Sequence, residues 1–318
     1  MMRRHKNHNL YALVPAYNEA DLISDFLYAL DKKLKEFTQD IKIIVIDDGS
    51  IDQTAEIVQN LTDKLPIELI SFSRNFGKEA ALTSGINAAG DADALIILDA
   101  DFQHPLDVIN SFMNKWYEGY DNVYGIRTRM DQGIIKGKLS SLFYTINEKI
   151  MKIKLPKNAG DFRLLDQQVI KAINQLPEAN RFMKGLYAWV GFKGAPVKYT
   201  VAERANNGKS KWNYNSLFEL AITGITAFSD IPLRIVSMLG FFVSFISFIY
   251  VLIIIIQKIF FGIATPGYAT LAISIVFFGG IQLSCLGVVG EYISRIFNEV
   301  KKRPIYIIDE NKSRRIKK

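Results

Sequence analysis

Two long runs without a charged residue lie near the end of the chain, and they constrain its fold more than any other feature. Residues 235–256 and 267–290 hold 22 and 24 uncharged residues. Each run exceeds the roughly 20 residues that a helix needs to cross the hydrocarbon layer of a membrane. Two buried core helices are the alternative, but soluble cores rarely supply two such runs. The sequence therefore predicts a C-terminal transmembrane hairpin of two helices.

Flanking charges predict the orientation of this hairpin. The link at 257–266 carries one cation, Lys258, whereas Arg295, Lys301, Lys302 and Arg303 follow the second run. Cytoplasmic flanks carry the excess of Lys and Arg, so both ends of the hairpin are expected in the cytoplasm. The apolar stretch after the basic N-terminus is too short for a signal peptide. We expect a multi-pass membrane protein with both termini in the cytoplasm.

Charge and cysteine content narrow the possible partners and the compartment. The formal net charge is +7, but residues 301–318 hold eight Lys and Arg against two acidic residues. Most of the positive charge is thus a basic tail, and no nucleic-acid partner is expected. Cys285 is the only cysteine, which excludes an internal disulfide and suits a reducing compartment. Its apolar surroundings favour a small buried hydrophobic residue.

The first half of the chain alternates between apolar strands and amphipathic helices. Such alternation is typical of a mostly parallel sheet with helices on both faces, the Rossmann-like α/β class. The predicted strands are 10–14, 41–46, 67–72, 94–98 and 122–126, and the predicted helices are 19–37, 53–64 and 78–89. In these sheets, ligands bind beyond the carboxyl ends of the strands.

Polar motifs follow the first four predicted strands. They read PAYNEA at 15–20, DDGSIDQT at 47–54, SRNFGKEAA at 73–81 and DADFQHP at 99–105. Any one of them could be turn and cap chemistry, but four on one edge of one sheet indicate a binding site. Asp99 and Asp101 repel each other unless a cation lies between them. No P-loop or G-x-G-x-x-G pattern is present, so any phosphates are expected to be held through a metal.

These motifs, in this order, resemble the family 2 glycosyltransferases with the GT-A fold. AGDFRLLD at 159–166, RFMKGLYAWVGF at 181–192 and RANNGKSKWNY at 204–214 are similar to the subgroup that loads sugars onto polyprenyl phosphates. This subgroup includes dolichyl-phosphate mannose synthases and bactoprenol glucosyltransferases. The resemblance covers nearly the whole chain, and the two C-terminal runs match the bacterial kind.

The resemblance implies a metal-dependent site. The DxD motif is Asp99-Ala100-Asp101, and the expected ligands of Mg²⁺ or Mn²⁺ are Asp99, Asp101 and Gln103. These hard ions prefer carboxylate, amide and phosphate oxygens. Asp99 could instead bind through water or contact a ribose. His104, which precedes a proline, is expected to cap or pack rather than to bind the metal.

The remaining functional residues follow from the same resemblance. The predicted catalytic residues are Asp161, Asp101 and Arg204, with two readings left open for Asp161: a catalytic base, or a group that orients Arg163 or a sugar hydroxyl. One of Asp47 and Asp48 is expected to contact the nucleoside, while the other could cap the helix at 53–64. The other predicted substrate-binding residues are Pro15, Tyr17, Glu19, Asp99, Ala100, Arg127, Arg163, Ser210 and Lys211.

The implied activity is inverting transfer of a hexose to undecaprenyl phosphate on the cytoplasmic leaflet of a bacterial inner membrane. Glucose from UDP-glucose is the first choice, and UDP-N-acetylglucosamine or another nucleotide sugar is the alternative. A processive synthase is disfavoured because no Q-x-x-R-W run is present and two spans are too few for a channel. A non-catalytic lipid-sugar binding or flippase scaffold is the other class. We also expect a homo-oligomer, with a flippase and a membrane glycosyltransferase acting downstream.

Four segments are predicted along the chain. A GT-A domain covers 1–205, an amphipathic juxtamembrane segment 206–231, the two transmembrane helices 232–298 and a basic tail 299–318. Residues 134–155 and 212–228 read as amphipathic helices that could lie on lipid or pack against the sheet. RPIYIIDE at 303–310 reads as a strand that could join a sheet of the same or a neighbouring subunit.

Overall fold

The computed structural model describes residues 8–128, 159–179, 181–200, 231–261 and 267–314. The chain divides into two compact units. Unit 1 comprises Met1–Phe218 with Arg303–Lys318, and unit 2 comprises Glu219–Lys302. The predicted amphipathic helices at 134–155 and 212–228 lie outside the described residues. The predicted segment boundaries remain predictions.

Unit 1 is built from alternating strands and helices around one sheet. Its described strands are β1 (Leu10–Ala16), β2 (Ile41–Asp47), β3 (Ile67–Ser71), β4 (Ala94–Ile97), β5 (Asn122–Thr128), β6 (Ala159–Asp166) and β7 (Gly194–Thr200). Its described helices are α1 (Ile23–Leu34), α2 (Thr54–Leu61), α3 (Lys78–Ala88), α4 (Val108–Tyr117), α5 (Gln167–Asn174) and α6 (Met183–Trp189). The five strands and three helices predicted in this part of the chain are confirmed, with shifts of a few residues at their ends.

The sheet has seven strands in the order β3-β2-β1-β4-β6-β5-β7. β1 pairs in parallel with β2 and β4, β2 pairs in parallel with β3, and β5 pairs in parallel with β7. β6 runs antiparallel to both β4 and β5. The mostly parallel sheet is therefore confirmed. Its one reversed strand brings the amino end of β6 to the edge where β4 ends.

Continuous apolar strands and one-sided helices form the core of unit 1. The side chains of Leu10, Leu13 and Val14 in β1 are inaccessible to solvent, as expected for a strand covered on both faces. Helix α3 lies so close to β1 that a Cβ at Gly85 would come within 2.0 Å of Leu13. Glycine at this position thus permits the close packing of helix on sheet.

The C-terminal tail, residues 303–314, returns to unit 1 and runs along the outer edge of β3. It forms antiparallel bridges between Leu69 and Arg314 and between Phe72 and Ile308. The predicted strand at 303–310 is thus present only as isolated bridges, because a turn at 310–312 interrupts the pairing. The pairing partner is the same chain.

Unit 2 contains two long apolar helices, α7 (Ile231–Phe261) and α8 (Tyr268–Val300). Among the described residues, Phe277–Val300 is long and apolar enough to cross a membrane, and Ile235–Tyr250 is a shorter apolar stretch. Large side chains such as Phe241 and Leu283 are 77% and 71% exposed within the chain. An exposed apolar surface of this extent marks an interaction surface, such as one that meets a membrane. Cys285 on α8 is half-buried rather than fully buried as predicted.

Candidate active site

The carboxyl ends of β1, β2, β3 and β4 meet at one edge of the sheet, here called the rim. Because β6 runs the other way, its amino end reaches the same rim. Ile97 of β4 lies opposite Arg163 of β6. Asp99 follows Ile97 by two residues and Asp161 precedes Arg163 by two, so the antiparallel pairing brings both aspartates to the same place on the rim. Both carboxylates belong to the predicted site, and the fold brings them together.

A lysine lies between these two carboxylates. Lys78 Nζ is 2.7 Å from Asp99 Oδ1 and 3.4 Å from Asp161 Oδ2. Burial alone would lower the pKa of Lys78, but Asp99 and Asp161 outweigh it and raise that pKa. Burial alone would likewise raise the pKa of Asp99, but Lys78 and then His104 hold it below its usual range. Opposite charges at this distance stabilise one another's charged forms.

Sequence reasoning missed Lys78 as a functional residue. It is the first residue of α3 and stands inside the SRNFGKEAA motif, where glycine and asparagine suggest turn chemistry. The available signal was its position. Lys78 follows the loop after the third strand, and this loop lies on the same rim as the acidic residues that follow the fourth strand.

Asp101 and Gln103 lie on a tight turn after β4. Asp101 Oδ1 accepts a hydrogen bond from the Gln103 backbone N–H at 3.1 Å. Phe102 between them adopts a positive φ of 55°, and its ring meets Phe26 edge-on with centroids 5.2 Å apart. Packing of this ring into the core helps to hold the left-handed residue in place. Ala100 of the DxD motif is buried at 2% exposure.

His104 packs in the interior, as predicted. Its ring stacks on Phe162 with centroids 4.5 Å apart, and its Nδ1 accepts a hydrogen bond from the Asp99 backbone N–H at 3.3 Å. Burial lowers the pKa of His104, which favours the neutral ring that this acceptor role requires. His104 thus supports the backbone of the DxD motif.

Asp47 and Asp48 use their carboxylates to build the rim loops. Asp47 Oδ1 accepts a hydrogen bond from Ser50 N–H at 3.0 Å. Asp48 accepts bonds from Phe76 N–H at 2.7 Å and from Gly77 N–H at 2.9 Å. Neither caps α2, so that reading was wrong: the residue before α2, Gln53, makes no side-chain cap bond, and Asp52 accepts the Thr54 N–H instead.

The loop after β3, residues 73–77, here called the third rim loop, packs tightly on the turn that contains Asp48. Gly49 has a φ of 68°, and a Cβ there would lie 2.3 Å from the Arg74 backbone. Only glycine combines this conformation with so close an approach. Burial raises the pKa of Asp48, although the two backbone N–H donors oppose that rise.

Three predicted nucleoside contacts, Pro15, Tyr17 and Glu19, lie at the end of β1. Pro15 is paired with Ile46 within the sheet, and Tyr17 is 44% exposed. The Glu19 backbone N–H donates to Thr54 Oγ1 at 2.9 Å. Tyr17 is therefore the side chain of this group with an open ring surface, while Glu19 begins the turn that leads into α1.

The two predicted arginines of β5 and β6 differ in their surroundings. Arg127 Nε donates to Tyr199 Oη at 3.2 Å, and its charge helps to lower the pKa of Asp99. Arg163 is only 4% exposed, donates to the Gly160 carbonyl and lies 3.7 Å from the centroid of the Tyr187 ring. Burial lowers the pKa of Arg163, and the charge of Asp161 is among the groups that oppose this effect, although the two side chains form no ion pair within the described residues.

Glu79 is a second residue that sequence reasoning missed. Its Oε2 accepts the Met183 backbone N–H at 2.8 Å and so connects α3 to the start of α6. Burial raises the pKa of Glu79 to about 7, against the lowering effect of the Met183 N–H, with a further rise from Asp161. No local pattern predicts this contact, because Met183 lies 104 residues from Glu79 along the chain. Arg204, Ser210 and Lys211 lie outside the described residues.

The donor set at the rim fits a hard divalent cation that is shared with a ligand. Asp99 and Asp101 supply carboxylate oxygens and Gln103 an amide group, but the described residues contain no group of three His, Cys, Asp or Glu side chains able to hold a metal alone. Mg²⁺ sites of this kind use one or two carboxylates and complete the shell with phosphate oxygens of the substrate. The residues present therefore fit a metal–phosphate site rather than an all-protein metal site.

Comparison with known proteins places this rim in a family. The model of "Glycosyl transferase family 2" matches residues 11–173, which include all of β1 but its first residue, β2 to β6 and every described residue of the rim. The chain belongs to glycosyl transferase family 2. In this glycosyltransferase, residues 231–296 also match the "GtrB C-terminal hairpin". That match and the apolar stretch of α8 indicate membrane association.

Relatives of this family 2 glycosyltransferase match over nearly their whole length. The SfII prophage-derived bactoprenol glucosyl transferase of Shigella flexneri is 43% identical, with 94% of this chain and 97% of that protein covered. An uncharacterized glycosyltransferase of Synechocystis is 41% identical, with 95% of each covered. A solved structure of glucosyl-3-phosphoglycerate synthase from Mycobacterium tuberculosis, in complex with Mn²⁺, UDP and phosphoglyceric acid, gives a TM-score of 0.49 at 17% identity, covering 70% of this chain and 78% of that one.

Proposed function

We propose that this glycosyltransferase transfers glucose from UDP-glucose to undecaprenyl phosphate at the cytoplasmic leaflet of a bacterial inner membrane. The name of the Shigella flexneri relative, a bactoprenol glucosyl transferase at 43% identity, supports the sugar and the lipid acceptor. The geometry that carries the proposal is the meeting of Asp99 and Asp161 around Lys78 on the rim, beside Asp101. This cluster has the charges needed to hold a diphosphate leaving group and to receive an acceptor.

The departing UDP is held on the Asp99 side of the cluster. Asp99, Asp101 and Gln103 would bind Mg²⁺ or Mn²⁺, which when bound acts as a Lewis acid on the diphosphate. Lys78, 44% exposed at its side chain, can donate hydrogen bonds to the same phosphates. Arg127 adds positive charge near Asp99, and Arg204, Ser210 and Lys211 are proposed to contribute as well. Fixed donors of this kind stabilise charge as it develops on the leaving group.

Asp161 is proposed to orient a substrate rather than to remove a proton. A phosphate monoester has a second pKa of about 6, so the acceptor is mostly dianionic near neutral pH and needs little help from a base. Asp161 Oδ1 is buried and has no hydrogen-bond partner among the described residues. An unpaired buried acceptor is available for a sugar hydroxyl. Attack by the acceptor oxygen opposite the leaving group inverts the anomeric centre.

The nucleoside is proposed to lie at the ends of β1 and β2. The exposed ring of Tyr17 offers a stacking surface for uracil, with Pro15 and Glu19 beside it. Asp47 and Asp48 shape the pocket through the loops that they hold, and Asp47 is the closer candidate for a ribose contact, because only one of its oxygens accepts a hydrogen bond from the described backbone. Arg163, beneath the rim, supports the position of β6.

The membrane arrangement is proposed to bring the rim to the lipid headgroups. Both α7 and α8 would span the bilayer, with both chain termini in the cytoplasm according to the positive-inside rule. The amphipathic segments 134–155 and 212–228 would lie on the cytoplasmic surface. A homo-oligomer, a downstream flippase and a membrane glycosyltransferase complete the proposed assembly.

A donor and acceptor panel tests this function. The purified full-length protein is incubated with undecaprenyl phosphate and, in turn, UDP-glucose, UDP-N-acetylglucosamine and GDP-mannose, and the lipid is analysed by mass. We expect a single hexose added from UDP-glucose. Transfer from another nucleotide sugar alone would correct the sugar, and the absence of transfer or donor hydrolysis with every donor would favour a non-catalytic scaffold.

A further inference from the structure

The C-terminal tail covers the open edge of β3 and satisfies its backbone. β3 is the first strand of the sheet, so one side of it has no strand partner. Leu69 exchanges both backbone bonds with Arg314, at 2.9 and 2.8 Å, and Asp309 N–H donates to the Ser71 carbonyl at 2.8 Å. Ser71 N–H in turn donates to Ser313 Oγ at 3.0 Å. Polar groups on an exposed sheet edge otherwise remain unpaired.

The same tail reaches the first residues of the third rim loop. Ser73 N–H donates to the Ile307 carbonyl at 2.9 Å. The ring of Tyr306 stacks on Phe72 with centroids 5.0 Å apart and planes 12° from parallel. Phe72, only 1% exposed, meets Phe76 edge-on at 5.8 Å. The tail thus contacts Phe72 and Ser73, and the ring of Phe72 continues the contact to Phe76 in the loop.

The third rim loop is in turn the part that holds the proposed nucleotide pocket. Phe76 and Gly77 donate both of their N–H groups to Asp48, and the backbone of Arg74 lies against Gly49. The loop then passes directly into Lys78, which contacts Asp99 and Asp161. Any loosening of residues 72–77 would therefore reach both the nucleoside end and the phosphate end of the site.

We infer that the tail is a positioning element for the donor site: Tyr306 and Ser313 fix the third rim loop and thereby set the affinity for the nucleotide. The inference rests on the proposed function for the identity of the ligand. Its physical basis is that a loop ordered before binding spares the nucleotide the entropic cost of ordering it. Two residues, Lys301 and Lys302, separate the end of α8 from the tail.

Two matched pairs of variants in the full-length protein test this role. Tyr306→Ala removes the stacked ring and Tyr306→Phe keeps it. Ser313→Ala removes the acceptor of the Ser71 N–H and Ser313→Thr keeps it. Calorimetry measures the affinity of each variant for UDP in the presence of Mn²⁺. Steady-state assays give the KM for UDP-glucose and the KM for undecaprenyl phosphate. Ile307→Ala is a further control, because that side chain is 55% exposed and its carbonyl remains.

We expect the two alanine variants at 306 and 313 to weaken UDP binding about tenfold, within the usual range for coupling between linked sites. The KM for UDP-glucose should rise in step, while the KM for the lipid should stay within twofold, and the Phe, Thr and Ile307→Ala variants should match the wild type. Equal losses for donor and lipid, or unchanged UDP affinity in both alanine variants, would overturn the inference.

Hydrogen exchange separates a failure of this inference from a failure of the proposed function. The amides of Phe76 and Gly77 should exchange faster in Tyr306→Ala and Ser313→Ala, whereas the amides of β1 should keep their protection. Faster exchange confined to the loop would support the positioning role of the tail. A wild type that bound no UDP would refute the nucleotide site, but it would leave this exchange result unchanged. Exchange that rises equally in β1 and in the loop would show that the tail serves the whole fold.

Discussion

The two halves of the rim use the same residue types for different purposes. On the half formed by β2 and β3, the carboxylates of Asp47 and Asp48 accept hydrogen bonds from backbone N–H groups. On the half formed by β4 and β6, Asp99 and Asp161 face the amine of Lys78, and Asp101 has no cation within ion-pair distance among the described residues. Asp47 and Asp48 hold the rim loops, whereas Asp99 and Asp161 face each other across a cation and are placed to meet a ligand.

The comparison predicts opposite consequences for substitutions on the two halves. On the β4–β6 half, activity should fall while the fold persists. On the β2–β3 half, stability should fall first, and activity only through the loop. Each of the following measurements could contradict this division.

The largest effect is expected for Asp101→Asn. Transfer to undecaprenyl phosphate should fall about a thousandfold, the scale found when one group that stabilises developing charge is removed. The free energy of unfolding should change by less than about 0.5 kcal/mol, because asparagine keeps an acceptor oxygen for the Gln103 N–H and no described cation depends on this carboxylate. Product mass and thermal unfolding on the same preparation give both numbers. If the variant lost stability in proportion to its loss of activity, Asp101 would be a structural residue rather than a metal-binding one.

Lys78→Met should reduce transfer about a hundredfold, as expected for removal of one charged donor to a phosphate. It also removes the chief neighbour that holds down the pKa of Asp99, so the acidic limb of the pH–rate profile should move to higher pH. Lys78→Arg keeps the charge and should restore part of the activity and the position of that limb. A profile that does not move in Lys78→Met would mean that Lys78 does not control Asp99.

Asp48→Asn should destabilise unit 1 by about 2 kcal/mol, because an amide cannot accept from Phe76 and Gly77 through both of its polar atoms. Transfer by the protein that remains folded should drop only a few-fold. Asp63→Asn is the matched control, since Asp63 is exposed. Denaturant unfolding followed in both variants gives the comparison. Equal stability for the two would show that the contacts of Asp48 are not structural.

The smallest effect concerns the pH dependence that Glu79 introduces. The folded-state pKa of about 7 lies above the unfolded value of about 4.3, so the folded state binds this proton more tightly. The contribution of this proton to the stability of the fold is therefore complete below pH 4 and is lost as the pH rises toward 7. The loss should be on the order of 1 kcal/mol, given partial contact of the side chain with water. Glu79→Gln keeps an acceptor for Met183 and should remove this slope from unfolding curves at pH 5 to 8. An unchanged slope would exclude Glu79 as its source.

The arrangement of the rim was predictable because it follows from local signals. Apolar runs such as 41–46 and 94–98 can only be strands in a covered sheet, and parallel strands deliver their carboxyl ends to one edge. The placement of Asp99, Asp101 and Asp48 on that edge needed no long-range information. The packed position of His104 was also predicted, from its place directly before Pro105.

The roles within the rim were not predictable, because they depend on contacts between distant segments. The reversed direction of β6 comes from pairing across more than 60 residues, and it alone brings Asp161 to Asp99. From the sequence, Lys78 belongs to a turn motif. Its role becomes visible only in the fold, where the residues after β4 lie beside it. The division of labour between Asp48 and Asp101 depends on which backbone N–H groups lie within reach, and residue type does not encode this.

The dependence of transfer on a divalent cation tests the central claim most directly. The full-length protein is assayed with UDP-glucose and undecaprenyl phosphate before and after EDTA, with Mg²⁺ or Mn²⁺ added back, and the lipid product is measured by mass. We predict that chelation abolishes transfer, that the cation restores it in the wild type, and that it does not restore it in Asp101→Asn. Full transfer in excess EDTA would contradict the assignment of Asp99, Asp101 and Gln103 as the metal-binding half of the rim.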